Sequence, residues 1–232
     1  MGKLSERDRE QVLEARKANI LTELADSKLM LHNGIILGGV CSDGDQLPEM
    51  KKHIGLLVEA QYGAERVHLF AINGGALALS PSSPLANMSR FYYEFLVENN
   101  LDFGWRILLL LLYPVIWFMG KAMRQDIILM INVWLGIRMK QIKTVGLCIH
   151  APCGAAGLCG MSFVEEISCL IKAKRRLKAM PVFTNVKFPC FVHVDYGDDG
   201  NGGNSARKRT YFISTKAAEK WLLEHYPHAL YS

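Results

Sequence analysis

The run VGLCIHAPCGAAGLCG, residues 145 to 160, carries one histidine and three cysteines among glycine, alanine and apolar residues. Imidazole nitrogen and thiolate sulfur are ligands for borderline and soft divalent metals, zinc foremost. Within the run, His150 and Cys153 stand in an H-x-x-C spacing, with Pro152 between them and Gly154 after. That spacing lets two side chains face one ion across a tight turn. H-x-x-C arises often by chance, so a site needs a third ligand from elsewhere. Cys41 ends an apolar run, Ile-Ile-Leu-Gly-Gly-Val, and opens a Gly/Asp-rich turn. Two thiolates and one imidazole suit Zn²⁺ and leave a fourth position for water, the catalytic arrangement. Zinc in such a site brings the pKa of bound water to about 7 and yields hydroxide at neutral pH. The other thiols read differently. Cys148 and Cys159 fit small core residues, as do Cys169 in a helix and Cys190 in a strand. His193 alternates with apolar neighbours and reads as a hydrogen-bonded structural residue.

The elements that must position these ligands alternate along the chain. LSERDREQVLEARKANILTEL reads as a long amphipathic helix with Ser5 as its N-cap. A buried strand leads into Cys41. LPEMKKHIGLLVEAQY is a helix with Pro48 in its first turn, and RVHLFAIN is a second strand ending at Asn73-Gly74-Gly75. A Ser/Pro loop from residue 80 becomes helical at RFYYEFLVENN. The apolar stretches 107 to 120 and 127 to 137 follow as helices. KTVGLCIH is a third strand and delivers His150 at its end. MSFVEEISCLIKAKRRLKAM is a helix. PCFVHVDYG and RKRTYFIS form a hairpin across DDGNGGNSA, and residues 215 to 225 close with a helix. The pattern predicts one α/β domain over residues 1–232 with a mainly parallel sheet flanked by helices. Residues 1–26 are its N-terminal helical arm and 80–140 an apolar helical insertion. Ligands of such sheets gather at the carboxyl ends of strands. Cys41, Asn73 and His150 all lie there.

Composition bounds the function. Half of the 232 residues are hydrophobic and 21% are charged, with a net charge of +5. That charge is too mild to argue for nucleic acid. The basic run Lys172, Lys174, Arg175, Arg176 and Lys178 reads as the solvated face and last turns of a helix. The N-terminus lacks the pattern of a secretory signal, which predicts a cytoplasmic protein with reduced thiols. The stretch 107 to 120 is shorter than a bilayer core requires and is interrupted by Pro114, so membrane association is not expected. Burial or an oligomer interface accounts for it better.

CSDGD (41 to 45) followed far downstream by HAPCGA (150 to 155) resembles the β-class carbonic anhydrases. That family carries C-x-D-x-R at the end of its first strand and H-x-x-C-G at the end of a later one. VHLFAINGGALA resembles the family's intervening strand. The resemblance covers most of residues 30 to 215 and implies a β-carbonic anhydrase-like fold. It also implies Zn²⁺ on Cys41, His150 and Cys153. Asp43 would accept a hydrogen bond from the water or hydroxide on the metal. The backbone N–H groups of Gly154 and Ala155 would orient a small anion such as bicarbonate. The activity implied is hydration of CO2, or of a related linear molecule such as COS or CS2, in a homodimer or higher oligomer. The sequence departs from the family at a telling place: Asp45 stands where the family has Arg. That Arg holds the aspartate off the metal. Without it Asp43 has an electrostatic reason to become a fourth metal ligand, which would close the site. Arg66, Arg90 and Arg106 are candidates to replace it. The alternative to a hydratase is thus a zinc-binding relative without that activity, a scaffold or sensor. A third reading is an unrelated α/β protein with structural or redox-active cysteines.

Overall fold

The computed structural model describes residues 4–27, 29–31, 33–41, 46–64, 66–72, 74–86, 125–197 and 208–231. Among them are seven α-helices: α1 (Glu6–Lys17), α2 (Leu47–Tyr62), α3 (Gln125–Lys140), α4 (Gly154–Leu158), α5 (Phe163–Ala179), α6 (Thr215–His225) and α7 (Pro227–Tyr231). Six strands form one sheet: β1 (Leu21–Glu23), β2 (Ile35–Cys41), β3 (Val67–Ile72), β4 (Val145–Ala151), β5 (Cys190–Asp195) and β6 (Lys208–Ile213). Their order is β1-β6-β5-β4-β2-β3. The pairings β3–β2, β2–β4 and β4–β5 are parallel, while β5–β6 and β6–β1 are antiparallel. The sheet is therefore mixed, where a mainly parallel one was expected. The antiparallel part is the late hairpin plus β1.

The strand β1 corrects the N-terminal reading. Ser5 caps α1 as expected, its hydroxyl accepting from the Asp8 N–H at 3.1 Å. The helix stops at Lys17, because Asn19 takes a left-handed conformation at φ 55°. Leu21–Glu23 then pairs with β6, so residues 1–26 are not a helical arm throughout. The arm is also tied down. Asp8 and Gln11 side chains accept from the Phe163 and Val164 N–H groups at 2.9 and 3.3 Å, capping the free donors at the start of α5.

The two faces of the sheet are covered unequally. Met50, Ile54 and Val58 of α2 pack on Ile35, Leu37, Val40, Cys148 and Phe191 on one face. On the other, α1, α3, α5 and α6 pack on Ile36, Val145, Leu147, Ile149, Val192 and Val194. The chain runs from β2 to β3 by α2 on one face and reaches β4 through α3 on the other, so strand order reverses between β2 and β4. That reversal opens a crevice at the carboxyl ends of those two strands.

The basic run lies in the last turns of α5 as expected, with Arg175 and Lys178 exposed; Lys174 and Arg176 are half-buried, and the run also ties elements together. Arg176 donates to the buried Asp126 carboxylate at 2.6 Å and to the Leu79 carbonyl at 3.1 Å. Lys174 donates to the Thr215 hydroxyl at 2.9 Å, and Arg175 pairs with Glu219. Of the proposed insertion, residues 87–124 lie outside the described residues, including the stretch 107 to 120, Arg90 and Arg106. The stretch 127 to 137 lies in α3. Its Leu129 and Val133 are buried, while Ile128, Ile131, Leu135 and Met139 are exposed. Among the described residues no helix is long and apolar enough to cross a membrane.

Candidate metal centre

Cys41 is the last residue of β2 and His150 the penultimate residue of β4, the strand beside it. Cys153 follows two residues after β4 and is the N-cap of α4. Fold topology thus brings together residues more than a hundred positions apart. The two sulfurs and an imidazole nitrogen all lie within 4.8 Å of one another, and all three residues are buried. Among the described residues this is the one group of His, Cys, Asp and Glu arranged to hold a metal ion.

Local backbone geometry aims Cys41. In a regular strand it would follow Ile35 and Leu37 onto the α2 face. A bulge between Gly38 and Val40 breaks the alternation, with Gly39 at φ 82°. Val40 then packs with the α2 cluster and Cys41 with the opposite one, where Cys153 lies. Gly75, at φ 56°, completes the corner. A Cβ there would sit 2.7 Å from the Cys41 nitrogen and 3.0 Å from the Cys148 carbonyl. Only glycine lets the Gly75–Leu79 turn approach the ends of β2 and β4 this closely.

The electrostatics fit a cation. The Cys153 thiol donates toward the Cys41 sulfur and, together with His150 and the Gly74 N–H, holds the Cys41 thiol down at about 4 against the pull of burial. The same contact, burial and the nearby Glu166 push Cys153 up. Glu166, in the first turn of α5, is also buried, and its Oε2 has no hydrogen-bond partner. Burial, then the charges of Asp8, Cys41 and Glu165, raise its pKa. Both ring nitrogens of His150 are buried and have no hydrogen-bond partner either. A buried polar group left unpaired costs about 1–3 kcal/mol. A divalent ion would take one imidazole lone pair, favour both sulfurs as thiolates and attract Glu166. The donor set and its unmet bonding capacity therefore fit a metal.

Asp43 and Asp45 lie outside the described residues. Gly154 and Ala155 form the start of α4, Gly154 exposed and facing open space, Ala155 half-buried. Cys148 and Cys190 are core residues as expected, with thiols raised by burial, Cys190 to about 12. Cys169 is buried too, whereas Cys159 is half-buried at the edge of the core. All six cysteines are free thiols. His193 is hydrogen-bonded as its pattern predicted: its Nδ1 and the Thr210 hydroxyl lie 2.7 Å apart, and His53 Nδ1 meets the same hydroxyl at 2.9 Å. Burial, then the charges of His53, His150 and Lys208, lower its pKa to about 3. Sequence reasoning passed over Glu166. The signal was there: Phe163, Glu166, Ile167 and Leu170 share the spacing of one helix face, and only Glu166 breaks its apolar character.

No family model, curated protein or solved structure matches the chain.

Proposed function

We propose that Cys41, His150 and Cys153 hold Zn²⁺ and that the protein hydrates CO2 or a related small linear molecule such as COS or CS2. The observation that carries this reading is the convergence of two sulfurs and an imidazole within 4.8 Å, with neither imidazole nitrogen otherwise bonded. Cys₂His is a catalytic zinc set, and three protein ligands leave one position open. Zinc bound there would polarise a water enough for it to attack at neutral pH. The chain's own residues do the rest. Ala76 and Leu77 are buried in the same apolar cluster as Cys41 and Cys153, a setting that would favour an uncharged linear substrate. Asp43, two residues after Cys41, would accept a hydrogen bond from the attacking water or hydroxide and orient it. The N–H groups of Gly154 and Ala155 lie next to Cys153 and would hold the anionic product. The resemblance to β-class carbonic anhydrases supports the same assignment and implies a homodimer or higher oligomer.

The second reading is a zinc protein with a closed site. It is favoured by Asp45 in place of the family's Arg. An unopposed Asp43 beside Zn²⁺ would take the fourth position and leave none for water.

Metal analysis of purified protein, with stopped-flow CO2 hydration at several pH values, tests both. One zinc per chain with hydration supports the hydratase. One zinc per chain without hydration supports the closed site, and Asp45→Arg should then restore activity. A chain that binds no zinc defeats both.

A further inference from the structure

The two sulfurs that would grip the metal are also close enough to react with each other. We propose that, when no metal is bound, Cys41 and Cys153 form a reversible disulfide under peroxide, and that this bond excludes the metal. The inference rests on the zinc reading for its consequence, but the pairing itself rests on geometry alone. The Cys41 and Cys153 sulfurs lie no more than 4.8 Å apart. A disulfide needs its sulfurs about 2 Å apart and its Cβ atoms about 4 Å apart. Closing that gap requires side-chain rotation. Cys153 is the N-cap of the short helix α4, with a β/extended backbone, and Gly154 beside it faces open space.

No other cysteine offers Cys41 the same chance. Cys148 projects into the α2-side cluster, whereas Cys41 and Cys153 belong to the opposite one. Cys190 is fully buried on β5, and Cys169 lies in α5. Cys159 is the nearest competitor in sequence, six residues beyond Cys153 and past the end of α4.

The step balances with hydrogen peroxide as oxidant. One thiolate attacks the O–O bond and becomes a sulfenic acid, releasing hydroxide. The second thiol displaces the sulfenic oxygen, the S–S bond forms, and water leaves. Two sulfurs are each oxidised by one electron, and the two peroxide oxygens leave as one hydroxide and one water. A metal on the same sulfurs withdraws electron density and lowers their nucleophilicity toward peroxide, and a disulfide sulfur is a poor ligand. The bound metal and the disulfide therefore exclude each other, and a thiol reductant reverses the bond by exchange.

Full-length protein, reduced and stripped of metal, is treated with hydrogen peroxide and its peptides are mapped by mass spectrometry. A parallel sample is first loaded with Zn²⁺. The expected result is a Cys41–Cys153 cross-linked peptide, lighter by two hydrogen atoms, in the metal-free sample and its suppression in the loaded one. Zn²⁺ uptake should be lost after oxidation and recovered on reduction. Cys159→Ser should retain the cross-link. A protein that binds Zn²⁺ when reduced but gives no Cys41–Cys153 cross-link, or pairs Cys153 with Cys159 instead, overturns the inference and leaves the metal reading standing. A reduced protein that takes up no Zn²⁺ overturns the metal reading and the exclusion built on it.

Discussion

Two buried histidines sit side by side in this sheet, and they are used in opposite ways. His150 on β4 and His193 on β5 are register partners across a parallel pairing. Both are almost wholly shielded from solvent. His193 meets a hydroxyl: Thr210, its partner on β6, and His53 on α2 complete a hydrogen-bonded row over the strands. His150 meets two sulfurs, and neither of its ring nitrogens has an oxygen or nitrogen partner. The fold therefore joins α2 to the sheet through one histidine and sets its neighbour in a group that could hold a metal ion. Burial alone does not distinguish a structural histidine from a ligand. The chemistry of the nearest atoms does.

The largest expected effect breaks the comparison directly. His150→Ala should weaken Zn²⁺ binding by well over the ~100-fold that loss of an outer-shell partner typically costs. Thr210→Val, which disconnects His193 and His53, should leave Zn²⁺ affinity within about tenfold while lowering stability by about 1–3 kcal/mol. Zn²⁺ titration and urea denaturation of the two variants read both quantities. Equal losses of affinity would remove the distinction between the two histidines.

Metal linkage comes next. Zn²⁺ at a hundred times its Kd should stabilise the wild type by about 2.7 kcal/mol. A chelator should remove that increment, and Cys41→Ser should not show it. Thermal melts with and without chelator measure the difference.

The pH response sharpens the same contrast. The folded-state pKa of His193 lies near 3, below the ordinary value of 6.5. The unfolded chain therefore binds a proton that the folded chain refuses between those values. Stability from this residue is complete above about pH 6.5 and falls by about 1.4 kcal/mol per unit as the pH drops toward 3. His193→Asn should flatten that slope in metal-free protein, as followed by urea denaturation from pH 7 to 4. An unchanged slope would place the acid sensitivity elsewhere.

Glu166 gives the smallest effect and the opposite sign. Its pKa is raised, so the folded chain holds the proton longer than the unfolded one. Its contribution is complete below about pH 4.5 and falls as the pH rises. Glu166→Gln should stabilise the metal-free protein at pH 8 by on the order of 1 kcal/mol and weaken Zn²⁺ binding, since a nearby anion is lost. A variant that binds Zn²⁺ more tightly would show that Glu166 does not act on the metal through its charge.

Much of this was legible because the signals were local. The strand into Cys41, the H-x-x-C after a strand, and the helix from Leu47 to Tyr62 all follow from period and turn chemistry in short windows. The short strand β1 was not legible. Three residues carry too little pattern to separate from a helix end, and their pairing partner lies some 190 residues away. The basic run on α5 was legible only in part for a related reason: composition shows charge but not which buried carboxylate or hydroxyl awaits it. Asp126 and Thr215 are visible as partners only once α3 and α6 are placed beside α5.

The sequence by itself determined the candidate ligand types, their order along the chain and their positions at the ends of strands, because soft side chains and strand periodicity are properties of single segments. Tertiary structure decided the rest. The crossover that makes β2 and β4 neighbours sets Cys41 beside His150, the bulge at Gly39 turns its sulfur toward Cys153, and Gly75 leaves the room in which they meet. Distance and dielectric, which govern whether thiols, imidazole and carboxylate act as one site, exist only when separate elements pack together.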